Sequence, residues 1–241
     1  MKYLIIGTLV FLGLVVALAP ASLLDMALER GGEADLTQVQ GSVWQGQGQL
    51  TIRGTALGQV RWEMQPLTLF AAYPTFDWQR DGPGHRLQGE AGAGFSTRTV
   101  LVSGTVSSES VNTWLAPYLI TIEGDTQVSA VQIVQSHQQS ISHLSGDVEW
   151  EGGQVTYQLS GLSNQSFLPP LAAKLTPNDA GSPSAVVTQK GAATPLIQAT
   201  LQPDGFAKVG LTKAFLQILG TPWPGNDPET RVVIEVEEKI I

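Results

Sequence analysis

Apolar and polar residues alternate along much of the chain, which is the pattern of strands with one buried face and one wet face. The clearest stretch is 58–65, where Val60, Trp62 and Met64 fall on one face and Gln59, Arg61 and Glu63 on the other. The same pattern predicts further strands within residues 36–41, 49–54, 75–79, 95–107, 119–134, 141–150, 154–159, 196–201, 206–210 and 231–237. The chain is therefore expected to be mainly β, with a large, strongly twisted antiparallel sheet.

Two short helices are predicted between these strands. Residues 107–109 supply a serine N-cap and an acidic first turn, and Pro117 ends the helical spacing that follows. A second helix is marked by apolar residues from Leu211 to Leu219, and Gly220 is expected to cap it.

Four further stretches lack either periodicity. Residues 81–84 have the composition of a turn, and residues 67–70, after the strand-ending Pro66, are mostly apolar. The glycine-rich residues 89–94 predict a loop between strands, because no strand–loop–helix pattern with a lysine supports a phosphate cradle. Residues 178–183 have no apolar side chain larger than alanine and are the best candidate for an internal linker.

The N-terminal residues 3–24 carry no charge and are mostly apolar. A membrane-spanning helix needs about 20 such residues. A small-residue cleavage site at 17–19 makes a signal peptide the alternative, but Pro20 disfavours cutting there, so a retained anchor over residues 1–24 is expected. Lys2 precedes the run and acidic residues follow it, which predicts a cytoplasmic N-terminus and an exported domain over 25–241.

A partial internal repeat organises that exported domain. Residues 39–51 and 146–156 each contain a Gly, a Val and a Trp, then glycines, a Gln, an aliphatic residue and Thr. We expect two related sheet halves, over 36–135 and 140–241, with Trp44 anchoring one half and Trp150 the other.

Composition narrows the chemistry that the chain can perform. Charged residues are 14% of the chain, below the roughly 25% of an average soluble protein, and 26 glycines favour strands and turns over surface helices. The net charge of −8 without basic clusters argues against nucleic acid as a partner. The absence of cysteine excludes disulfides, thiolate metal sites and cysteine nucleophiles.

No motif for catalysis or for a cofactor is present. The three histidines, His85, His137 and His143, lack a metal-binding pattern, and the last two would lie about 20 Å apart on one strand. They are interpreted as polar surface residues. No Gly-x-Ser-x-Gly motif offers a hydrolase nucleophile. We therefore expect a protein that is not an enzyme, without catalytic, cofactor-binding or metal-binding residues.

Six tryptophans invite a hypothesis of ligand stacking, but most lie in alternating strands, where burial in a core is the expected role. The alternative is a sheet that curls without closing. Its apolar face would then form a groove for a lipid tail or an apolar segment of a partner.

Several ordered motifs resemble the type II secretion system protein N family. Residues 41–46 read Gly-Ser-Val-Trp-Gln-Gly, in place of the family's Gly-x-Leu/Val-Trp-x-Gly signature, and a strand with Trp62 leads into Pro66. Leu-Ser-Gly-Asp-Val-Glu-Trp at 144–150 and the endings at 201–205 and 216–220 complete the resemblance. The signature positions are Gly41, Val43, Trp44, Gly46, Trp62, Pro66, Gly146, Trp150, Gly205 and Gly220.

The resemblance implies an accessory inner-membrane subunit of the type II secretion system in a Gram-negative cell. Residues 3–24 would cross the inner membrane, and the bulk of the chain would lie in the periplasm. There it would help to export folded proteins across the outer membrane through contacts with other secretion components. The family is also similar, in fold only, to β-groove proteins of lipid transport, so a periplasmic protein that binds or transfers lipid is the alternative.

Overall fold

A computed structural model describes residues 18–29, 34–52, 55–82, 84–136, 141–159, 161–178 and 180–239. Within these ranges the protein is mainly β, with three short α-helices. Thirteen strands belong to one antiparallel sheet, and three more form a separate small sheet. The predicted large antiparallel sheet is confirmed.

The described residues divide into two compact units. The first contains the residues up to Gly82 together with Gln88–Gly94, and the second contains residues 84–87 and those from Phe95 onward. Strand β5, His85–Ala93, contributes residues to both units.

The first unit has four antiparallel strands in sequential order and one α-helix. They are α1 (Ser22–Glu29), β1 (Ala34–Gly41), β2 (Gln45–Ile52), β3 (Thr55–Met64), a 3-10 helix (Pro66–Ala71) and β4 (Thr75–Gly82). Its core consists of Ala21, Leu36, Val60 and Trp62, each less than a tenth exposed. The alternation at 58–65 was correctly predicted, because Val60, Trp62 and Met64 are all buried.

Helix α1 covers the outer edge of β1. The Ala21 N–H donates to the Gly41 carbonyl at 3.3 Å, and the Leu36 N–H donates to Asp25 Oδ1 at 3.3 Å. Both bonds occupy edge groups of β1 that another strand would need for pairing. The first unit therefore protects this sheet edge with its own helix.

The predicted membrane anchor falls largely on residues 1–17, which lie outside the described residues. Among the residues that the structure does describe, no helix has the length and apolar character needed to cross a membrane. The end of the predicted anchor belongs to the first unit, where Ala21 is 2% exposed and Leu24 packs against the core.

The second unit holds most of the strands. Its sheet has the order β6-β8-β9-β12-β13-β14-β15-β16, and the small sheet has the order β11-β10-β7. The elements are β6 (Thr97–Val106), α2 (Ser108–Leu115), a 3-10 helix (Ala116–Tyr118), β7 (Ile120–Ile122), β8 (Thr126–Ser136), β9 (Ile141–Trp150), β10 (Gly153–Leu159), β11 (Leu162–Leu168), β12 (Leu171–Pro177), β13 (Pro183–Gln189), β14 (Pro195–Leu201), β15 (Phe206–Thr212), α3 (Lys213–Ile218) and β16 (Val232–Lys239).

Both predicted helices are present, and side chains cap their N-termini. Ser107 Oγ accepts from the Ser110 N–H at the start of α2. Thr212 Oγ1 accepts from the Phe215 N–H at the start of α3. Gly220 follows α3 with φ +79, the left-handed conformation expected for a glycine after a helix.

One stretch without a predicted element forms a 3-10 helix, and one local prediction was wrong. The apolar run 67–70 belongs to the 3-10 helix Pro66–Ala71, which Thr68 stabilises by donating to the Gln65 carbonyl at 2.7 Å and accepting from the Thr75 N–H. The glycine-rich residues 89–94 fall mostly in strand β5, not in a loop. Gly92 is required there because a Cβ would lie 2.5 Å from Cε1 of the Tyr73 ring.

The segment predicted as a linker is a hairpin connection. The Asn178 N–H donates to the Ser182 carbonyl at 2.8 Å, and Asn178 Oδ1 accepts from two further N–H groups in the loop. The loop joins β12 to β13, which are neighbours in the sheet. The small polar residues of this segment are therefore those of a tight turn, not of a linker.

Candidate interaction surface

The sheet of the second unit has one apolar face and one mostly polar face. The strand register aligns Leu211, Ile197, Val187, Ala173 and Val148 across five neighbouring strands. The other apolar side chains on this face include Val100, Val102, Val106, Val128, Ile133, Leu144, Leu175, Ala185, Ala199, Val209, Ile234 and Val236. The opposite face carries Gln127, Ser129, Asp147, Glu149, Lys174, Gln198, Lys208, Glu235 and Glu237.

Coverage of the apolar face is uneven. Val106 and Ala207 are buried, and most side chains of the face are half-buried. The exposed members are Val100 on β6, at 36%, and Ile234 and Val236 on β16, at 37% and 53%. The least covered part of this face is therefore its margin at β16.

Strand β16 forms one end of the large sheet. It pairs with β15, with Ile234 opposite Leu211 and Val236 opposite Val209. In the part of the chain that the structure describes, no strand pairs with the other edge of β16. An edge of this kind presents backbone N–H and C=O groups that can bind another strand.

Acidic side chains dominate β16. It contains Glu235, Glu237 and Glu238 against a single Lys239. Lys208 on β15 lies 2.8 Å from Glu235 Oε1, and this hydrogen bond raises the pKa of the Lys208 ammonium. Gln202 Nε2 donates to Glu237 Oε1 at 3.2 Å. The polar side of the edge is therefore acidic, with one lysine partner on the neighbouring strand.

Trp114, Tyr118 and Leu119 are exposed at the end of α2 and in the connection that follows it, and we call them the exposed cluster. These side chains are 49%, 54% and 57% exposed. The Tyr118 hydroxyl donates to Glu238 Oε1 at 3.0 Å, which brings Tyr118 to the end of β16. The bond and the charge of Glu238 raise the pKa of the Tyr118 hydroxyl.

The exposed cluster stands on a well-defined backbone. Asn112 Nδ2 donates to the Ile122 carbonyl at 2.9 Å, and Asn112 Oδ1 accepts from the Ile122 N–H at 2.8 Å. This pair of bonds ties helix α2 to β7. Trp114 and Tyr118 are therefore exposed on backbone that is fixed by hydrogen bonds within the second unit.

The signature residues of the first unit have structural roles. Gly46 lies opposite Trp62, and a Cβ on Gly46 would be 2.5 Å from Trp62 Cζ2. Trp62 is 7% exposed and donates from Nε1 to the Ser42 carbonyl at 3.2 Å. Gly41 pairs with Gly46 and has φ +99.

The remaining signature residues of this unit lie in connections. Val43 and Trp44 are half-buried between β1 and β2, where the Val43 N–H donates to the Ala19 carbonyl at 3.0 Å. Pro66 is exposed and begins the 3-10 helix. The buried tryptophan of the first unit is Trp62, and Trp44 is only half-buried.

The signature residues of the second unit are dispersed. A Cβ on Gly146 would lie 2.6 Å from Val131 Cα, and Trp150 donates from Nε1 to the Glu123 carbonyl at 2.8 Å. Gly205 has φ +86 in the turn before β15. The signature therefore does not converge on one site. Trp44 lies in a connection and Trp150 in a strand, so the two repeat copies differ locally, and a duplication stays a prediction.

The described histidines make local hydrogen bonds. His85 Nδ1 lies 3.3 Å from Ser110 Oγ, and His143 Nε2 lies 3.2 Å from Ser145 Oγ. His137 falls outside the described residues. Across the described ranges, no three His, Asp or Glu side chains form a group that could hold a metal ion.

Sequence reasoning missed the side chains that define this surface, namely Trp114, Tyr118, Leu119 and Glu238. Helical spacing places Trp114 in the first predicted helix, and burial in a core is the role expected of the tryptophans as a group. The Tyr118–Glu238 pair joins positions 120 residues apart, and no local signal marks it.

The fold defines a β-sheet protein, and one margin of its large sheet, at β16, combines exposed apolar side chains with acidic ones. The model of the type II secretion system protein N family matches residues 33–222. The chain belongs to this family, which confirms the resemblance carried by the motifs. Membership assigns it an accessory role in type II secretion, with other secretion components as partners. No curated protein and no solved structure matches the chain.

Proposed function

We propose that this protein is a membrane-anchored accessory subunit of the type II secretion system that works through protein contacts in the periplasm and is not an enzyme. The apolar residues that precede Ala21 would hold it in the inner membrane, with the N-terminus in the cytoplasm, because Ala21 and Leu24 pack in the first unit. One observation carries the proposal: Trp114, Tyr118 and Leu119 are exposed, and Tyr118 bonds to Glu238 on the edge strand β16. Exposed aromatic side chains on a rigid scaffold are typical anchors of protein interfaces.

A secretion assay tests the role. The gene is deleted in a strain with an active type II system, and secreted proteins are measured in the medium after complementation. Trp114→Gln should restore secretion less well than the unchanged protein. Phe167→Gln is the matched control, because Phe167 is 77% exposed on β11, outside the cluster, and this variant should restore secretion fully.

Photo-crosslinking identifies the contacts directly. A photoreactive residue at position 114 should crosslink to another secretion component, and one at position 167 should not. Normal secretion by the deletion strain, with no crosslink from position 114, would contradict the proposal.

Location is tested separately with reporters fused after residue 241. A reporter that is active only in the periplasm should be active, and one that is active only in the cytoplasm should be silent. The opposite pattern would exclude the proposed orientation.

Lipid binding is the second candidate function. The half-buried apolar face of the second unit favours it, because such a face can accept an acyl chain. The protein would be purified in a detergent that preserves bound lipid and examined by mass spectrometry. Absence of co-purified lipid, together with no binding of a fluorescent lipid, would exclude the groove.

A further inference from the structure

We propose that the outer edge of β16 is a strand-addition site for an extended segment of a partner protein in which apolar and basic residues alternate. The inference rests on the proposed function, because it specifies the chemistry of the partner segment that the surface near β16 would bind. This inference concerns the backbone edge of β16 and the segment that would bind there. The secretion assay tests Trp114 of the exposed cluster.

The backbone of β16 is suited to strand addition. The strand has eight residues, and its pairing with β15 leaves the other edge without a strand among the described residues. In an antiparallel strand, alternate residues direct their N–H and C=O groups away from the neighbour. A partner strand satisfies these groups, and its side chains then supply specificity. At the other end of the large sheet, α1 blocks β1.

The two faces of β16 specify the side chains of the partner. On one face, Ile234 and Val236 are exposed, and Tyr118 lies next to Glu238 at the end of the strand. On the other face, Glu235 and Glu237 are exposed. An added strand would therefore place apolar side chains beside Ile234 and Val236, and lysine or arginine side chains beside the two glutamates. Glu235 would then have a cation on each side, since it already pairs with Lys208.

In the register centred on Val236, the same charges disfavour a second copy of this chain as the occupant. Antiparallel pairing of two β16 strands about Val236 would place Glu235 of each copy opposite Glu237 of the other. Like charges directly opposite each other destabilise a strand pair. Charged residues on an edge strand are a common protection against self-association. A basic partner meets no such repulsion.

A peptide-binding experiment with the full chain in detergent tests the site. The probe is a fluorescent peptide as long as β16, eight residues of alternating lysine and valine, followed by anisotropy. It should bind, and an alternating glutamate–valine peptide should not. N-methylation of alternate peptide bonds along one edge of the probe should abolish binding, because it removes the backbone donors that a strand needs.

Variants locate the binding on β16. The double variant Glu235→Gln, Glu237→Gln should bind the lysine–valine peptide with an affinity about tenfold lower. The matched control is the pair Glu63→Gln and Glu90→Gln, two exposed glutamates on other strands, and it should bind normally. Circular dichroism verifies that all variants are folded.

Four results would overturn the site: no binding of the lysine–valine peptide, equal binding of the N-methylated peptide, equal binding of the acidic peptide, or a dimer of this chain that the peptide dissociates. The last result would assign the edge to a second copy. A protein that binds no peptide but restores secretion would overturn the strand-addition site alone. Peptide binding without any link to secretion would overturn the proposed function alone.

Discussion

Tyr118 and Glu238 are 120 residues apart in the chain, yet the Tyr118 hydroxyl donates a 3.0 Å hydrogen bond to Glu238 Oε1. The bond raises the pKa of Tyr118 above the ordinary tyrosine value of 10.0. A raised folded-state pKa means that the contact stabilises the fold fully below the unfolded pKa. This contribution is lost as the pH rises through the folded value.

The Tyr118 titration should therefore depend on Glu238. In Glu238→Gln, tyrosinate formation at Tyr118 should move to lower pH, because the carboxylate no longer opposes a second negative charge. Tyrosinate absorbance measures this, with Tyr118→Phe identifying the Tyr118 signal among the four tyrosines. Glu237→Gln, whose side chain lies on the other face of β16, is the control. Identical titrations of the unchanged protein and Glu238→Gln would show that the contact does not form.

Gly46 should not tolerate a side chain. A Cβ there would lie 2.5 Å from both the Gln40 carbonyl oxygen and Trp62 Cζ2, and the first is backbone that cannot easily move. Gly46→Ala should lower the free energy of unfolding by about 3 kcal/mol, the upper range for an overpacked core. Urea unfolding measures the change.

The comparison variant is Gly191→Ala, where a Cβ would meet nothing within 4 Å but φ is +83. Its cost should be about 1 kcal/mol, the strain of a left-handed alanine. Equal losses in the two variants would show that the ring of Trp62 and the Gln40 carbonyl move aside.

The strands were predictable where a sheet has one apolar and one polar face. In β16, Ile234 and Val236 share the apolar face and Glu235 and Glu237 the polar one, as alternation indicates. Alternation carries no information about which strands are neighbours. β9 pairs with β12 because the two strands between them in the chain, β10 and β11, belong to another sheet. Tyr118 meets Glu238 only because the order of strands places β16 near it, and that order cannot be read from alternation.

The errors have physical causes as well. Glycine contributes neither to an apolar nor to a polar face, so alternation did not identify strand β5. Gly92 is needed there because the ring of Tyr73 packs against it. The 3-10 helix at Pro66 depends on hydrogen bonds of Thr68 that propensity does not predict. Helical spacing identified the apolar face of α2 that carries Trp114. It did not show whether another element packs on that face, and Trp114 is about half exposed.

Lys213 should stabilise the segment that follows α3. Its side chain is 8% exposed, and Nζ donates to the Gly225 carbonyl at 2.6 Å and to the Asp227 carbonyl at 3.1 Å. Lys213→Met leaves both acceptors without this donor and should cost about 2 kcal/mol of unfolding free energy. Hydrogen exchange should also become faster in residues 221–230. Lys174→Met, at an exposed position on β12, is the control and should change little. Unchanged exchange in Lys213→Met would show that the segment is held by other contacts.

Arg80 presents the opposite case, a guanidinium whose removal should stabilise the fold. The residue is 9% exposed, and its Nε has no hydrogen-bond partner among the described residues. Burial lowers the pKa of the Arg80 guanidinium, because the charged form loses hydration. A buried N–H without a hydrogen-bond partner has lost its hydration with no compensating bond, and an apolar side chain of similar length at position 80 removes that cost.

Arg80→Met should therefore raise the free energy of unfolding, by about 1 kcal/mol. Arg61→Met, an exposed position on β3 in the same unit, is the matched control and should change it by less than about 0.5 kcal/mol. Denaturant unfolding followed by tryptophan fluorescence reports both, since Trp62 and Trp78 lie on strands β3 and β4. A clear loss of stability in Arg80→Met would mean that the folded protein provides the guanidinium with an anionic partner.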